Sequence, residues 1–267
     1  MLKTKTKIIA GFLALSFCLP VFAASRNVSG VLGGKKKKYS APLNDSTYQT
    51  LFNLPELYCR DYGFTDFAAC YNFLNYDRAD QKEALAPLVN WLNKKIKKSD
   101  DRVRVAASLV QNIPYDYNKS TGTEVIPSGR DHGVRYPYEV LQENAGICGE
   151  KASLIVFLLK QLGYGTATIT FTSPAVHEVA GVKCPPAYDF RDTGYCFIDP
   201  NYRHMITFGG SYEDHDPYRV LVISDGKTLN AKNDWKDSRN WWKVLREGTR
   251  SNKNYKLYKK LVKKYGL

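Results

Sequence analysis

Cys148 is the residue whose surroundings most invite chemistry. It follows Asn144-Ala145-Gly146-Ile147 and opens a stripe of Ala152, Ile155, Val156, Leu159 and Leu162 at helical spacing. A sulfur at a helix N-terminus meets unpaired N–H groups and the positive end of the dipole, which favour a thiolate. Gly146 and Gly149 keep the neighbouring backbone open to an incoming group. A thiolate nucleophile needs a base within hydrogen-bond reach and a third group to orient that base. Of His132, His177, His204 and His215, only His177 opens a strand after the helix. Asp199 closes the following strand, in Phe197-Ile198-Asp199-Pro200. Antiparallel strands joined by a loop can set 177 and 199 side by side. Cys184 and Cys196 then lie at odd offsets from them and leave by the opposite face. The chemistry expected is acyl transfer, with Cys148 attacking, His177 moving the proton and Asp199 orienting the imidazole.

The competing readings are an inert core thiol, a structural histidine and an aspartate that only forms a turn before proline. The Cys148 N–H is a natural oxyanion donor. A side-chain donor is sought in Gln111 or Tyr115, and Gly149 offers substrate access. His132, His204 and His215 read as surface or loop residues. The C-x-x-C and Cys/His spacings of zinc sites are absent from the sequence. No metal or organic cofactor is implied.

The run Leu141-Gln142-Glu143-Asn144-Ala145-Gly146-Ile147-Cys148-Gly149-Glu150-Lys151-Ala152, continuing to Leu162-Gly163-Tyr164, resembles the nucleophile helix of the transglutaminase-like superfamily. His177-Glu178-Val179-Ala180-Gly181-Val182 and Asp199-Pro200 resemble its His and Asp blocks, in order. Val110-Gln111-Asn112-Ile113-Pro114-Tyr115-Asp116 is similar to its lead-in helix end. The resemblance spans residues 100 to 203. It implies an α+β fold with a papain-like core, in which the nucleophile helix packs on an antiparallel sheet and Cys148, His177 and Asp199 form a triad. Many members hydrolyse amide bonds rather than crosslink, so peptide or amide hydrolysis is expected, with an amine-accepting crosslinker as the alternative. The family often places an aromatic beside the His, where this chain has Glu178. A rival of another class is a non-catalytic module on the same fold that holds an anionic envelope polymer.

The elements that must position these residues are legible from pattern. Asp80 and Glu83 have capping-box spacing ahead of Leu85, Leu88, Val89, Leu92 and Ile96, with Pro87 expected to delay the helix start. A second helix is expected over 101–112, capped by Asp100 and ended by Pro114. The stretch 115–138 reads as loop. The nucleophile helix is expected over 148–162 with Gly163 closing it. Strands are expected over 166–172, 176–183, 195–199 and 218–223.

The chain has 267 residues, 43% of them hydrophobic and 13% aromatic, enough for a sizeable core. Lys3, Lys5 and Lys7, the apolar run Ile8 to Leu19 and the small-residue site at Ala23 read as a signal peptide over 1–23. The expected location is therefore periplasmic or secreted. Loss of those lysines takes the formal charge from +13 to about +10. Five cysteines then remain, and the local spacings suggest Cys59–Cys70 and Cys184–Cys196 with Cys148 free. The expected organisation is a flexible Lys/Gly/Ser-rich tether at 24–45, a helical extension at 46–99, the catalytic core at 100–226 and a basic, helical tail at 227–267. The expected partner is a protein or peptide substrate, cell-wall peptide included. Nucleic acid is not expected. The basic tail suggests an anionic envelope surface, although a packed helix is the preferred reading of 253–264.

Overall fold

The computed structural model describes residues 24–55, 58–61, 63–121, 133–212 and 214–267. Residues 1–23, expected to be a signal peptide, and His132 lie outside the described residues.

The described residues open with a two-stranded antiparallel hairpin, β1 (Ser25–Leu32) and β2 (Lys35–Pro42), rather than the tether expected for 24–45. Gly33 and Gly34 both take positive φ and form the two-residue turn between them. The lysine run pairs along β2 with mostly exposed side chains, so its charge is compatible with a strand. Gly30 lets β1 lie directly on a helix, because a Cβ there would sit 2.6 Å from the Val105 carbonyl oxygen.

Helices α1 (Asp45–Phe52), α2 (Tyr58–Asp61) and α3 (Phe67–Asn72) lead through a π-helical turn at Phe73–Asp77 into α4 (Ala79–Lys95). Pro87 lies inside α4 and does not delay its start. Arg78 is the N-cap, so the capping box expected from Asp80 is not formed; Asp80 instead accepts from the Gln81 N–H. Helix α5 (Ser99–Gln111) is likewise capped by Lys98 rather than Asp100. The Asp100 carboxylate is engaged farther away, accepting from the Tyr164 hydroxyl at 2.9 Å. The stretch expected as loop contains the single turn α6 (Tyr117–Ser120), and its end overlaps α7 (Pro137–Glu143). Gln81, fully buried, donates to the Leu74 and Asn75 carbonyls and accepts from the Tyr138 N–H, tying the extension to α7.

Helix α8 (Cys148–Gln161) is the central element, with nearly every side chain from Glu150 to Leu159 buried. It lies on a four-stranded antiparallel sheet of β3 (Thr166–Phe171), β4 (His177–Lys183), β5 (Tyr195–Ile198) and β6 (Tyr218–Ser224), in the order β5-β4-β3-β6. Gly163, at φ +83°, turns the chain out of α8 as the sequence predicts. The two sheet faces separate cleanly. Ala180, Val182, Cys184, Cys196 and Ile198 join the main core with α8, whereas Ile169, Phe171, Val179 and Phe197 form a second core on the other face. Cys184–Cys196 and Cys59–Cys70 are disulfide-bonded and Cys148 is free, as the spacings suggest.

Two helices, α9 (Lys232–Glu247) and α10 (Asn252–Tyr265), complete the chain. Helix α10 is packed. Leu261 is buried with Met205 and Phe208, the Tyr265 hydroxyl and the Lys264 ammonium both reach Asp237, and the Lys264 carbonyl accepts from Gly34 of the hairpin turn. Truncating such a leucine removes apolar burial and leaves a cavity. Leu261→Ala is expected to lower unfolding stability by about 2–4 kcal/mol in urea titration, and deletion from Asn252 should lower the melting temperature. An unchanged melting curve for the deletion would make α10 a tether.

Candidate active site

The first turn of α8 is held from both sides. Asn144, at φ +55°, ends α7 in the left-handed region and directs the chain through Ala145 and Gly146 to Ile147. The Asp116 N–H donates to the Gly146 carbonyl, so the turn is stitched to the end of the lead-in segment. The buried carboxylate of Glu150 reaches back to the Ile147 N–H at 3.0 Å and also accepts from the Arg135 N–H at 2.6 Å and the Lys119 ammonium at 2.5 Å. A buried anion satisfied this thoroughly fixes where α8 begins, and with it the Cys148 sulfur.

The Cys148 side chain is half-buried beside the His177 ring, with the Glu178 and Gly149 N–H groups near enough to the sulfur to favour its anion. Burial pushes the thiol up, but these contacts outweigh it and bring its pKa below the usual value. Among the described histidines, His177 is the one beside the sulfur.

His177 Nε2 lies 3.6 Å from Asp199 Oδ2, an ion-pair distance longer than a hydrogen bond. Burial disfavours the imidazolium, yet Asp199 and the Cys148 sulfur raise the His177 pKa to about 9. Burial likewise opposes the Asp199 carboxylate, and the contact with the His177 ring together with the Asn201 N–H outweighs it and lowers its pKa. The carboxylate is held by the Asn201 N–H at 2.8 Å and the Tyr212 hydroxyl at 3.0 Å.

Tyr212 was not legible as a site residue. It sits in a short 3-10 turn beyond β5, and its ring stacks on His177 with centroids 4.9 Å apart and planes 13° from parallel. It therefore supplies the aromatic neighbour that Glu178 does not. Phe171 stacks on it in turn at 5.4 Å. Only its aromatic character and its place after the Asp block signalled it, and neither fixes a contact across the sheet end.

Gln111 does something other than expected. Its amide donates to the Asp199 carbonyl at 2.8 Å and to the His204 carbonyl at 3.3 Å, so both hydrogens are engaged and none faces a substrate oxygen. Gln111 positions the Asp199 backbone. Tyr115 does lie near the sulfur: burial and the Cys148 charge raise its pKa, and its backbone bridges to Gly146. His204 stacks on Phe208 and its pKa is lowered by burial, and His215 packs against Phe171 and Tyr212. Among the described residues, no group of three or more His, Cys, Asp or Glu side chains could hold a metal ion.

Residues 80–202 match a family profile described as a transglutaminase-like domain. The matched span starts in the first turn of α4 and ends just past Asp199, so it contains Cys148, His177 and Asp199. The α+β architecture agrees with that assignment. No curated protein matches the chain.

The lowered Cys148 pKa has a direct consequence. The anion persists at a pH where a free thiol of pKa about 8.5 is protonated. Iodoacetamide should therefore alkylate Cys148 faster than a free thiol at pH values below the ordinary thiol pKa, and His177→Ala should move the pH–rate profile up toward that of a free thiol. Identical profiles for the two proteins would contradict the thiolate–imidazolium contact.

Proposed function

We propose that this protein is an exported thiol enzyme that transfers acyl groups from amide bonds, most readily to water, through Cys148, His177 and Asp199. The observation carrying the proposal is the placement of the His177 ring beside the half-buried Cys148 sulfur, with Asp199 behind the ring. Transglutaminase-like domains are typically enzymatic, which supports reading this arrangement as a working site.

The Cys148 thiolate adds to the amide carbonyl carbon, and charge develops on the carbonyl oxygen. The Cys148 N–H occupies the first turn of α8, where it has no intrahelical acceptor, and can meet that oxygen. Tyr115 is the side-chain candidate to assist it. The imidazolium of His177 gives its proton to the leaving amine as the C–N bond breaks, leaving a thioester on sulfur. Water then attacks the thioester; His177 takes one of its protons, the acid leaves and the thiolate returns. Asp199 stabilises the imidazolium throughout, and Tyr212 and Asn201 hold the carboxylate in place. A primary amine in place of water would give a crosslink. Water is the expected acceptor because it reaches a half-buried sulfur without a dedicated site.

Two disulfides support an oxidising compartment, in line with the basic, apolar and small-residue order of the first 23 residues. Peptides, cell-wall peptides among them, are the substrate class proposed. Among the described residues no helix is long and apolar enough to cross a membrane.

The test is product analysis on a peptide library, with and without an added primary amine. Cys148→Ala should abolish product formation, a loss of several orders of magnitude, with the circular dichroism spectrum unchanged. Retained turnover in that variant would remove the mechanism.

A second reading, compatible with the first, rests on a polar cleft of about 460 Å³ on α9. Trp235, Trp242, Arg239, Lys243 and Arg246 line it with Arg191, and Arg239 lies over the Trp235 ring at 4.7 Å. Cations beside aromatic faces suit an anionic polymer, such as an envelope polysaccharide. The double variant Arg239→Glu, Arg246→Glu should elute from a sulfated polysaccharide resin at lower salt than the wild type. Equal elution would remove this reading.

A further inference from the structure

A separate cavity of about 380 Å³ opens beside Gly149, the residue that follows Cys148. Phe67, Leu74, Val134 and Ile147 give it apolar walls, and the Glu178 carboxylate and Tyr71 ring line it as well. Its volume lies in the range of ligand pockets, roughly 300–1,000 Å³.

The charges around this cavity do not cancel. Arg135 also lines it, but its guanidinium is bound by Asp116 at 2.8 Å, Glu143 at 2.6 Å and Glu150 at 3.4 Å. Glu150 is matched by Arg135 and Lys119. Among the described residues, the hydrogen-bond partners of the Glu178 carboxylate are hydroxyls: Thr170 donates to one oxygen at 3.0 Å and Tyr71 to the other at 3.4 Å. Tyr71 also contacts the Ser153 hydroxyl at 3.0 Å, which accepts from Tyr76 at 3.4 Å. In this chain each hydroxyl can pass its hydrogen toward Glu178. Among the described residues no Lys or Arg pairs with this carboxylate. Burial raises its pKa, and the Thr170 and Tyr71 hydroxyls and the His177 charge only partly offset that.

The cavity also borders the backbone on both sides of the reacting residue, through Ile147 and Gly149. The Glu178 N–H lies near the Cys148 sulfur, and a Cβ at Gly149 would lie 3.5 Å from Glu178 Oε1. Gly149, which lines the pocket, is thus the residue that a side chain flanking an acyl group on the sulfur would pass to enter it.

We infer that the pocket selects substrates in which the side chain beside the reacting carbonyl ends in a cation of the lysine or arginine type, received by the Glu178 carboxylate. The apolar walls would cover the methylene stem, and the faces of Tyr71 and Phe67 suit the charged end. A substrate cation would give Glu178 the direct ion-pair partner that no described Lys or Arg supplies. An anionic side chain would meet Glu178 directly and be rejected. This inference rests on the assignment of Cys148 as nucleophile.

The experiment uses three peptidyl chloromethyl ketones that differ only beside the ketone, carrying lysine, norleucine or glutamate. Each alkylates the sulfur with loss of chloride, so the readout is labelling of Cys148 by mass spectrometry and requires no turnover. Iodoacetamide measures the reactivity of the thiolate alone. The lysine reagent is expected to label the wild type at least about tenfold faster than the norleucine reagent, with glutamate slowest. In Glu178→Gln the lysine-to-norleucine ratio should fall to within about threefold. Equal rates for lysine and norleucine in the wild type, with fast iodoacetamide labelling, would overturn the inference and leave the Cys148 assignment standing. An undiminished ratio in Glu178→Gln would also overturn it. Slow labelling by every reagent, iodoacetamide included, would overturn it together with the assignment it rests on.

Discussion

The meeting of three chain ends at one edge of the sheet is the constraint from which the site follows. Helix α8 begins at Cys148, β4 begins at His177, and β5 ends one residue before Asp199. Each end is fixed by a different device. The buried Glu150 carboxylate gathers the Ile147 and Arg135 N–H groups and sets the start of α8. Cross-strand pairing of Phe171 with His177 sets the start of β4. The Gln111 amide grips the Asp199 carbonyl while Asn201 and Tyr212 hold its carboxylate. The three side chains meet because none of these ends is free to slide.

The electrostatics of that edge form an alternating series. A sulfur whose pKa is lowered faces a ring whose pKa is raised, and the ring faces a carboxylate whose pKa is lowered. Burial opposes each charge, and each neighbour offsets it. The fully buried Lys151 extends the pattern. Its ammonium donates to the Ile113 carbonyl at 2.8 Å; burial lowers its pKa to about 8, and the Asp199 charge works against that shift. It adds positive potential behind the carboxylate. On the linkage sign, a lysine whose folded pKa is depressed has its burial penalty present below about pH 8 and relieved as pH rises toward its unfolded value. The raised His177 acts oppositely: its contribution is complete below the unfolded pKa and is lost as pH rises through about 9.

Where residues repeat with a period, the sequence was easy to read. The stripe from Ala152 to Leu162 marked α8, and Thr alternating with apolar residues marked β3. The pairing of His177 with Asp199 was also visible, because strand parity separates their face from the Cys184–Cys196 face. Other features depend on contacts that no local pattern encodes. The hairpin at 25–42 was hidden by its lysines and glycines, which resemble a linker until Gly33-Gly34 is recognised as a turn and Gly30 as a point of close approach to α5. Gln111 stands where a donor is wanted, but spacing does not reveal that its hydrogens go to Asp199 and His204. Tyr212 lies beyond β5 and reaches His177 only because the sheet end brings them together.

The central claim is that Cys148 and His177 coexist as thiolate and imidazolium near neutral pH. Nitrogen-15 NMR of the imidazole rings reads this without any substrate. At pH 7 both ring nitrogens of His177 should carry protons in the wild type, with titration only as pH approaches about 9. In Cys148→Ala that midpoint should fall. A neutral His177 ring at pH 7 in the wild type, titrating near the ordinary histidine value of about 6.5, would contradict the account.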